Sequence, residues 1–165
     1  MKTKNYTAAL MVNSILLILC GFWNLVWKYM RTAYKIANAA HDMTSQSFDY
    51  TSVESWTGLL GTGSAAGTVH SIFASLALYL QFVGGAVGLI YAVIAISKHI
   101  PKGSGLPFAF GIIIDITGGI SVISLFCSRL YPIGFTQMSI IFSLFIIPIV
   151  FTVYAKKFSK NIKEH

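Results

Sequence analysis

Four apolar runs, each long enough to cross a lipid bilayer as a helix, dominate the sequence. A helix rises about 1.5 Å per residue, so about 20 residues span the hydrocarbon core of a bilayer. Hydrophobic residues make up 55% of the chain and charged residues 10%, whereas soluble domains contain about 25% charged residues. The sequence therefore predicts an all-α integral membrane protein. The expected transmembrane helices lie at about 6–27, 68–97, 106–127 and 133–154.

The connections between these runs predict how the helices are arranged. The turn 98–107 contains two prolines and two glycines, and the outer turn before the fourth run is also short. Short connections make consecutive helices antiparallel neighbours. The four runs leave no room for a separate soluble domain, so we expect residues 1–165 to form a single four-span membrane domain. The predicted fold is an antiparallel bundle of four transmembrane helices.

The distribution of Lys and Arg predicts the orientation. Eight of the 12 basic residues lie near the two termini or in the 98–107 turn. Cytoplasmic ends of membrane helices carry an excess of such residues, so both termini should be cytoplasmic, with the plasma membrane as the expected location. The net charge of +7 then favours anionic lipid headgroups on the cytoplasmic side. Nucleic acid is not an expected partner, because the basic residues frame helices and do not cluster on one folded face.

The connection 28–67 is much longer than the others and is expected to lie outside the cell. Its first part has apolar residues at helical spacing beside a polar stripe, which predicts an amphipathic helical extension after the first span. Long loops without structure are uncommon unless they are functional. We expect this outer segment to contact a partner through Trp27, Tyr34 and Trp56, or alternatively to fold back over the bundle.

Small residues form one face of the second run and one face of the third. Such faces let helix backbones approach closely in lipid. We expect the two faces to meet as the core of a helical hairpin. The glycines assigned to this packing are Gly84, Gly85, Gly88, Gly111, Gly118 and Gly119.

Asp115 is the one acidic residue inside a predicted span. Counting from the helix ends places it near the bilayer midplane with Gln81 and Ser143, and places Asn13 about one turn to the cytoplasmic side. A central Asp costs about 3 kcal/mol on insertion scales, so it should face the bundle and be hydrogen-bonded. No Lys or Arg lies at that depth, and burial favours the neutral acid. These four residues form the predicted midplane polar site.

Three roles fit this site. A neutral Asp115 that donates a hydrogen bond to Gln81 would fix the register of the hairpin. An Asp115 that exchanges a proton or a monovalent cation would be the centre of a small transporter or channel subunit. An Asp115 that meets a basic residue on another chain would be an assembly signal, because a partner's cation removes the burial penalty.

Catalytic patterns are missing from the sequence. The four histidines are dispersed, no two of them are spaced as metal ligands on one helix, and there is no nucleophile-elbow motif. We therefore expect no enzymatic activity, metal or cofactor. The predicted function is non-catalytic assembly with itself or with another membrane protein, through the small-residue faces and the outer segment. The alternative is a proton- or cation-linked transporter or channel subunit centred on Asp115.

Overall fold

The computed structural model describes residues 2–44, 65–97, 103–127 and 135–163, and all of them lie in helices or helical turns. Four stretches are long and apolar enough to cross a membrane, so the predicted all-α, four-span fold is confirmed. The last two helices and the π-helical segment between them are continuous, and we refer to residues 135–163 as the fourth helix. The elements are α1 (Lys2–Thr44), α2 (Ala65–Ile96), α3 (Leu106–Cys127), α4 (Phe135–Ile141), the π segment Phe142–Ile146 and α5 (Ile147–Lys163).

The candidate spans agree closely with the prediction except in the fourth helix. They are Asn5–Met30, Thr68–Ile96, Leu106–Cys127 and Met138–Ile162. The predicted fourth span ended at Tyr154, but the helix continues through Lys156 and Lys157. It continues because Ala155 and Phe158 are fully buried against the bundle. The two lysines lie over the rings of Phe108 and Tyr154, at 5.9 and 5.5 Å from the centroids, and direct their charged ends away from the core.

The first helix extends well beyond the membrane. α1 has 43 residues, a length of about 65 Å, whereas a bilayer's hydrocarbon core is about 30 Å thick. The predicted helical extension after the first span is therefore present. Ile36 in this extension is 64% exposed, so the described bundle does not cover it. Of the predicted outer contacts, Trp27 is partly buried, Tyr34 lies in the extension, and Trp56 falls outside the described residues.

Two clusters of side chains hold the bundle together. The larger is centred on Leu10, Leu17, Ala92, Ile114, Phe151, Ala155 and Phe158, and it contains residues of all four long helices. The smaller contains Ala77, Val122 and Leu144. Outward-facing positions such as Val83, Ile90 and Ile116 are apolar and exposed, as expected for a surface that faces lipid. Because lipid is as apolar as these side chains, close packing and internal hydrogen bonds must stabilise the bundle.

Candidate functional site

The glycines of α2 allow close approach to three neighbouring helices. A Cβ atom built at Gly84 would lie 2.7 Å from Cδ1 of Ile114 on α3. At Gly85 it would lie 2.9 Å from the backbone oxygen of Ser14 on α1, and at Gly88 it would meet both Ser14 and Phe151. α2 therefore needs small residues on more than one side.

The glycines of α3 contact the fourth helix. A Cβ atom at Gly111 would meet Thr152, and one at Gly118 would overlap the backbone oxygen of Leu144. The small faces of α2 and α3 therefore meet at Gly84 and where Ala77 and Val122 share a buried cluster, whereas Gly85, Gly88, Gly111 and Gly118 contact other helices. Gly111 and Gly118 lie on the side of α3 that is turned toward the fourth helix. Most of these glycines are buried within the bundle, so in this arrangement they are not available to a second chain.

Asn24, Gln81 and Ser143 form a closed ring of hydrogen bonds between α1, α2 and the fourth helix. Asn24 Nδ2 donates to Gln81 Oε1 at 3.2 Å, and Gln81 Nε2 donates to the backbone oxygen of Ser143 at 2.7 Å. Ser143 Oγ then donates to Asn24 Oδ1 at 2.8 Å. Their exposed fractions are 8%, 0% and 4%. The backbone oxygen of Ser143 can only accept a hydrogen bond, so the amide nitrogen of Gln81 must face it. The amide oxygen of Gln81 then faces the amide nitrogen of Asn24, which fixes the orientation of both side-chain amides.

The π segment supplies the acceptor for this ring. In an α-helix the N–H of Ile147 would bond to the oxygen of Ser143, but here it bonds to Phe142. The Ser143 oxygen is thereby released and accepts from Gln81. Pro148 follows directly, and since proline has no N–H and clashes with the carbonyl four residues earlier, an unbroken α-helix is disfavoured here.

The structure brings together two of the four residues predicted for the midplane site. Gln81 and Ser143 are hydrogen-bonded to each other. Asn13 instead donates to the backbone oxygen of Ala9 in its own helix, at 2.8 Å. Asn24 replaces it as the third member of the ring. Asn24 follows Leu17 by seven residues, so the two side chains lie on the same face of α1, and both are buried. This spacing is the sequence signal that could have identified Asn24.

Asp115 lies apart from the ring, at the boundary between α3 and the fourth helix. The contacts of Gly111 with Thr152 and of Gly119 with Phe145 show that these helices are antiparallel, and they place Asp115 level with Pro148. The Thr152 hydroxyl of the fourth helix donates to the oxygen of Pro148 in its own helix at 3.0 Å.

One carboxyl oxygen of Asp115 is left without a partner. The side chain as a whole is partly buried, but Oδ1 is buried and has no hydrogen-bond partner among the described residues. Among the described residues, Asn161 Nδ2 near the C-terminal end of the fourth helix is also buried without a hydrogen-bond partner. Leaving a buried polar group unpaired costs about 1–3 kcal/mol, and more if it is charged.

A second buried polar contact joins α2 to α3. His70 is 5% exposed, and its Nδ1 lies 2.9 Å from the backbone oxygen of Ser121 and 3.0 Å from Ser121 Oγ. A carbonyl oxygen can only accept, so Nδ1 must carry a hydrogen to make this bond. Ser121 is fully buried, which favours a structural role for the pair. Within the described residues, no group of three His, Cys, Asp or Glu side chains could hold a metal ion.

Comparison of the chain with protein-family models, with curated proteins and with solved structures finds no match.

Proposed function

We propose that the protein is a non-catalytic subunit of a membrane complex, which it joins through the surface around Asp115. This surface, the Asp115 surface, consists of Ile112, Asp115 and Ile116 on α3 with Ile149 on the fourth helix. Its three isoleucines are exposed. The observation that carries the proposal is that Asp115, in the middle of a span, is only partly buried by its own chain and lies beside exposed isoleucines.

The contrast with the polar ring supports this proposal. The Asn24, Gln81 and Ser143 side chains are each hydrogen-bonded to another member of the ring, so their burial is compensated within the chain. Asp115 is only partly buried and lies beside an exposed apolar surface. A carboxyl group at such a position is expensive in lipid. A hydrogen-bond donor on a second membrane protein that reaches the exposed part of this carboxyl group would lower this cost, and the contact would thereby stabilise the complex.

The other contact surfaces and the orientation that we propose are those expected from the sequence, with one change. The small-residue faces are occupied inside the bundle, so the contact with another protein is assigned to the Asp115 surface, and the helical extension after the first span provides a second surface outside the membrane. In the proposed orientation both termini lie in the cytoplasm of the cell and the protein resides in the plasma membrane. The exposed Lys156, Lys157 and Lys160 then face anionic lipid headgroups.

Transport of a proton or monovalent cation is the second candidate function, because a midspan carboxyl can serve as an ion site. The environment of Asp115 favours assembly. An ion pathway needs further polar groups around the carboxyl, whereas Asn24, Gln81 and Ser143 bond to one another. The Thr152 hydroxyl of the neighbouring helix donates to the oxygen of Pro148.

Ion flux into sealed liposomes distinguishes the two functions. We expect proton, Na⁺ and K⁺ flux through the purified wild-type protein to be no faster than in protein-free liposomes, and Asp115→Asn to leave it unchanged. Thr117→Val is the matched control, since Thr117 lies on the same helix and donates to oxygens of that helix. Flux that disappears in Asp115→Asn and persists in Thr117→Val would establish the transport function instead.

A further inference from the structure

We infer that the C-terminal part of the fourth helix binds the headgroup of an acidic phospholipid that carries more than one phosphate group. The binding surface, the lysine face, consists of Lys156, Lys157 and Lys160. This binding is separate from the proposed assembly function and involves neither Asp115 nor a partner protein. Three features of the structure lead to it: the arrangement of the lysines around the helix, their depth in the bundle and the charges near them.

The three lysines lie on the side of the fourth helix that is turned away from the bundle. An α-helix turns by about 100° per residue, so their positions fall within an arc of about 100°. All three side chains are exposed. Ala155 and Phe158, on the opposite side of the same helix, are fully buried. The lysine face is therefore directed at the surroundings of the protein.

The register between α3 and the fourth helix gives the depth of the lysine face. A Cβ atom at Gly105 would lie 3.8 Å from Ser159 Oγ, and one at Gly111 would meet Thr152. These contacts place the lysine face level with the start of α3 at Leu106 and with the turn before it. The 22 residues of α3 are just enough to cross a hydrocarbon core of about 30 Å. The lysine face therefore lies at the boundary between the hydrocarbon and the headgroups, where lipid phosphates are found.

Two aromatic rings hold part of the lysine face in place without neutralising it. Lys156 Nζ lies 5.9 Å from the centroid of the Phe108 ring on α3, and Lys157 Nζ lies 5.5 Å from the centroid of the Tyr154 ring. An aromatic ring attracts an ammonium group through its quadrupole but carries no net charge. Side chains that are already held lose less conformational freedom when a ligand binds. The two ammonium groups are thus oriented and still need counter-charges.

None of the acidic residues that the structure describes lies beside the lysine face. Of the five acidic residues in the chain, the described ones are Asp42, in the extension of α1 at the opposite end of the bundle, and Asp115, in the middle of α3. Glu164 falls outside the described residues and follows Lys163 directly, so these two together add no net charge.

The number of lysines favours a headgroup with several phosphates. Three cations lie within about 6 Å along the helix axis, and a headgroup with a single phosphate would offset one of them. Two or more phosphates on one headgroup offset more of this charge without bringing separate, mutually repelling lipids together. Clusters of basic residues at the membrane boundary bind lipids of this kind.

Lipid binding to the full-length protein, measured by native mass spectrometry in neutral detergent, tests the inference. The probes are diphosphatidylglycerol, with two phosphates, and phosphatidylglycerol, with one, titrated at equal total phosphate. We expect the two-phosphate lipid to bind wild type about fivefold more tightly. Lys160→Gln should weaken its binding about fivefold, and Lys160→Arg, which keeps the charge, should retain it.

Lys28→Gln is the matched control. Lys28 is also exposed and also lies over an aromatic ring, at 5.8 Å from the centroid of Tyr79, but it is near the other end of the bundle. We expect this substitution to leave binding of the two-phosphate lipid unchanged.

Three results would overturn the inference. Equal binding of the two lipids would mean that a single phosphate is sufficient, and an equal loss in Lys160→Gln and Lys28→Gln would mean a general attraction of a basic protein to acidic lipid. Displacement of the lipid by inorganic pyrophosphate at equal concentration would make a soluble phosphate the ligand. The proposed assembly is tested separately with Asp115→Asn, so its failure would be distinguished from any of these results.

Discussion

Gly118→Ala is expected to lower the free energy of unfolding by about 3 kcal/mol, because a Cβ atom at this position would overlap the backbone oxygen of Leu144. A backbone oxygen cannot rotate away as a side chain can, so α3 and the fourth helix would have to separate. Their separation would also disturb the π segment, which contains Leu144. Reversible unfolding in mixed detergent micelles, followed by circular dichroism, measures the change.

Gly119→Ala is the matched control for this substitution. The nearest atom to a Cβ at Gly119 is Cε2 of Phe145, at the ordinary contact distance of 3.6 Å. Alanine also favours a helix over glycine by up to about 1 kcal/mol. This neighbouring substitution should therefore be neutral or slightly stabilising. If both variants lose stability equally, the close approach at Gly118 is not what holds these two helices together.

Gln81→Met is expected to lower the free energy of unfolding by about 2 kcal/mol. The substitution removes two hydrogen bonds and leaves Asn24 Nδ2 and the Ser143 oxygen without their partner in a buried site. Individual hydrogen bonds between membrane helices contribute about 0.6 kcal/mol on average and about 1.7 kcal/mol at most, so the loss of two gives this magnitude. The same unfolding measurement applies.

Asn13→Leu tests whether the ring, and not the mere presence of buried amides, is responsible. Asn13 is buried but donates to Ala9 in its own helix, so no neighbouring helix loses a partner when it is replaced. The expected cost is about 0.5 kcal/mol or less. A loss as large as that of Gln81→Met would mean that the hydrogen bonds between helices do not account for the effect.

The extent of the fold was accessible from sequence because bilayer thickness sets the length of a span. The third span has its predicted bounds. The predicted fourth span ends too early, because Lys156 and Lys157 resemble the end of a span. The helix in fact continues past them, and Phe158 packs against the core. A charge at the end of an apolar run marks the membrane interface but does not mark the end of the helix.

The neighbours of each polar residue were less predictable, because the rotation of one helix against another is not encoded in the pattern of a single helix. Gln81 was expected to meet Asp115, but it is turned toward Asn24 and Ser143. Asn24 lies near the end of the predicted first span, where polar residues are common, so the sequence alone does not single it out. The π segment depends on Pro148 and on packing against Gly118, and no local pattern predicts both.

The mass at which this protein is recovered from its native membranes tests the proposed function most directly. Extraction in native nanodiscs, followed by native mass spectrometry, would compare wild type, Asp115→Asn and the control Thr117→Val. We expect wild type and Thr117→Val to occur in an assembly heavier than the 18.0 kDa chain, with a second protein bound, and Asp115→Asn to be released as the free chain. Recovery of wild type as the free chain alone, or of an assembly that Asp115→Asn leaves intact, would contradict the proposed function.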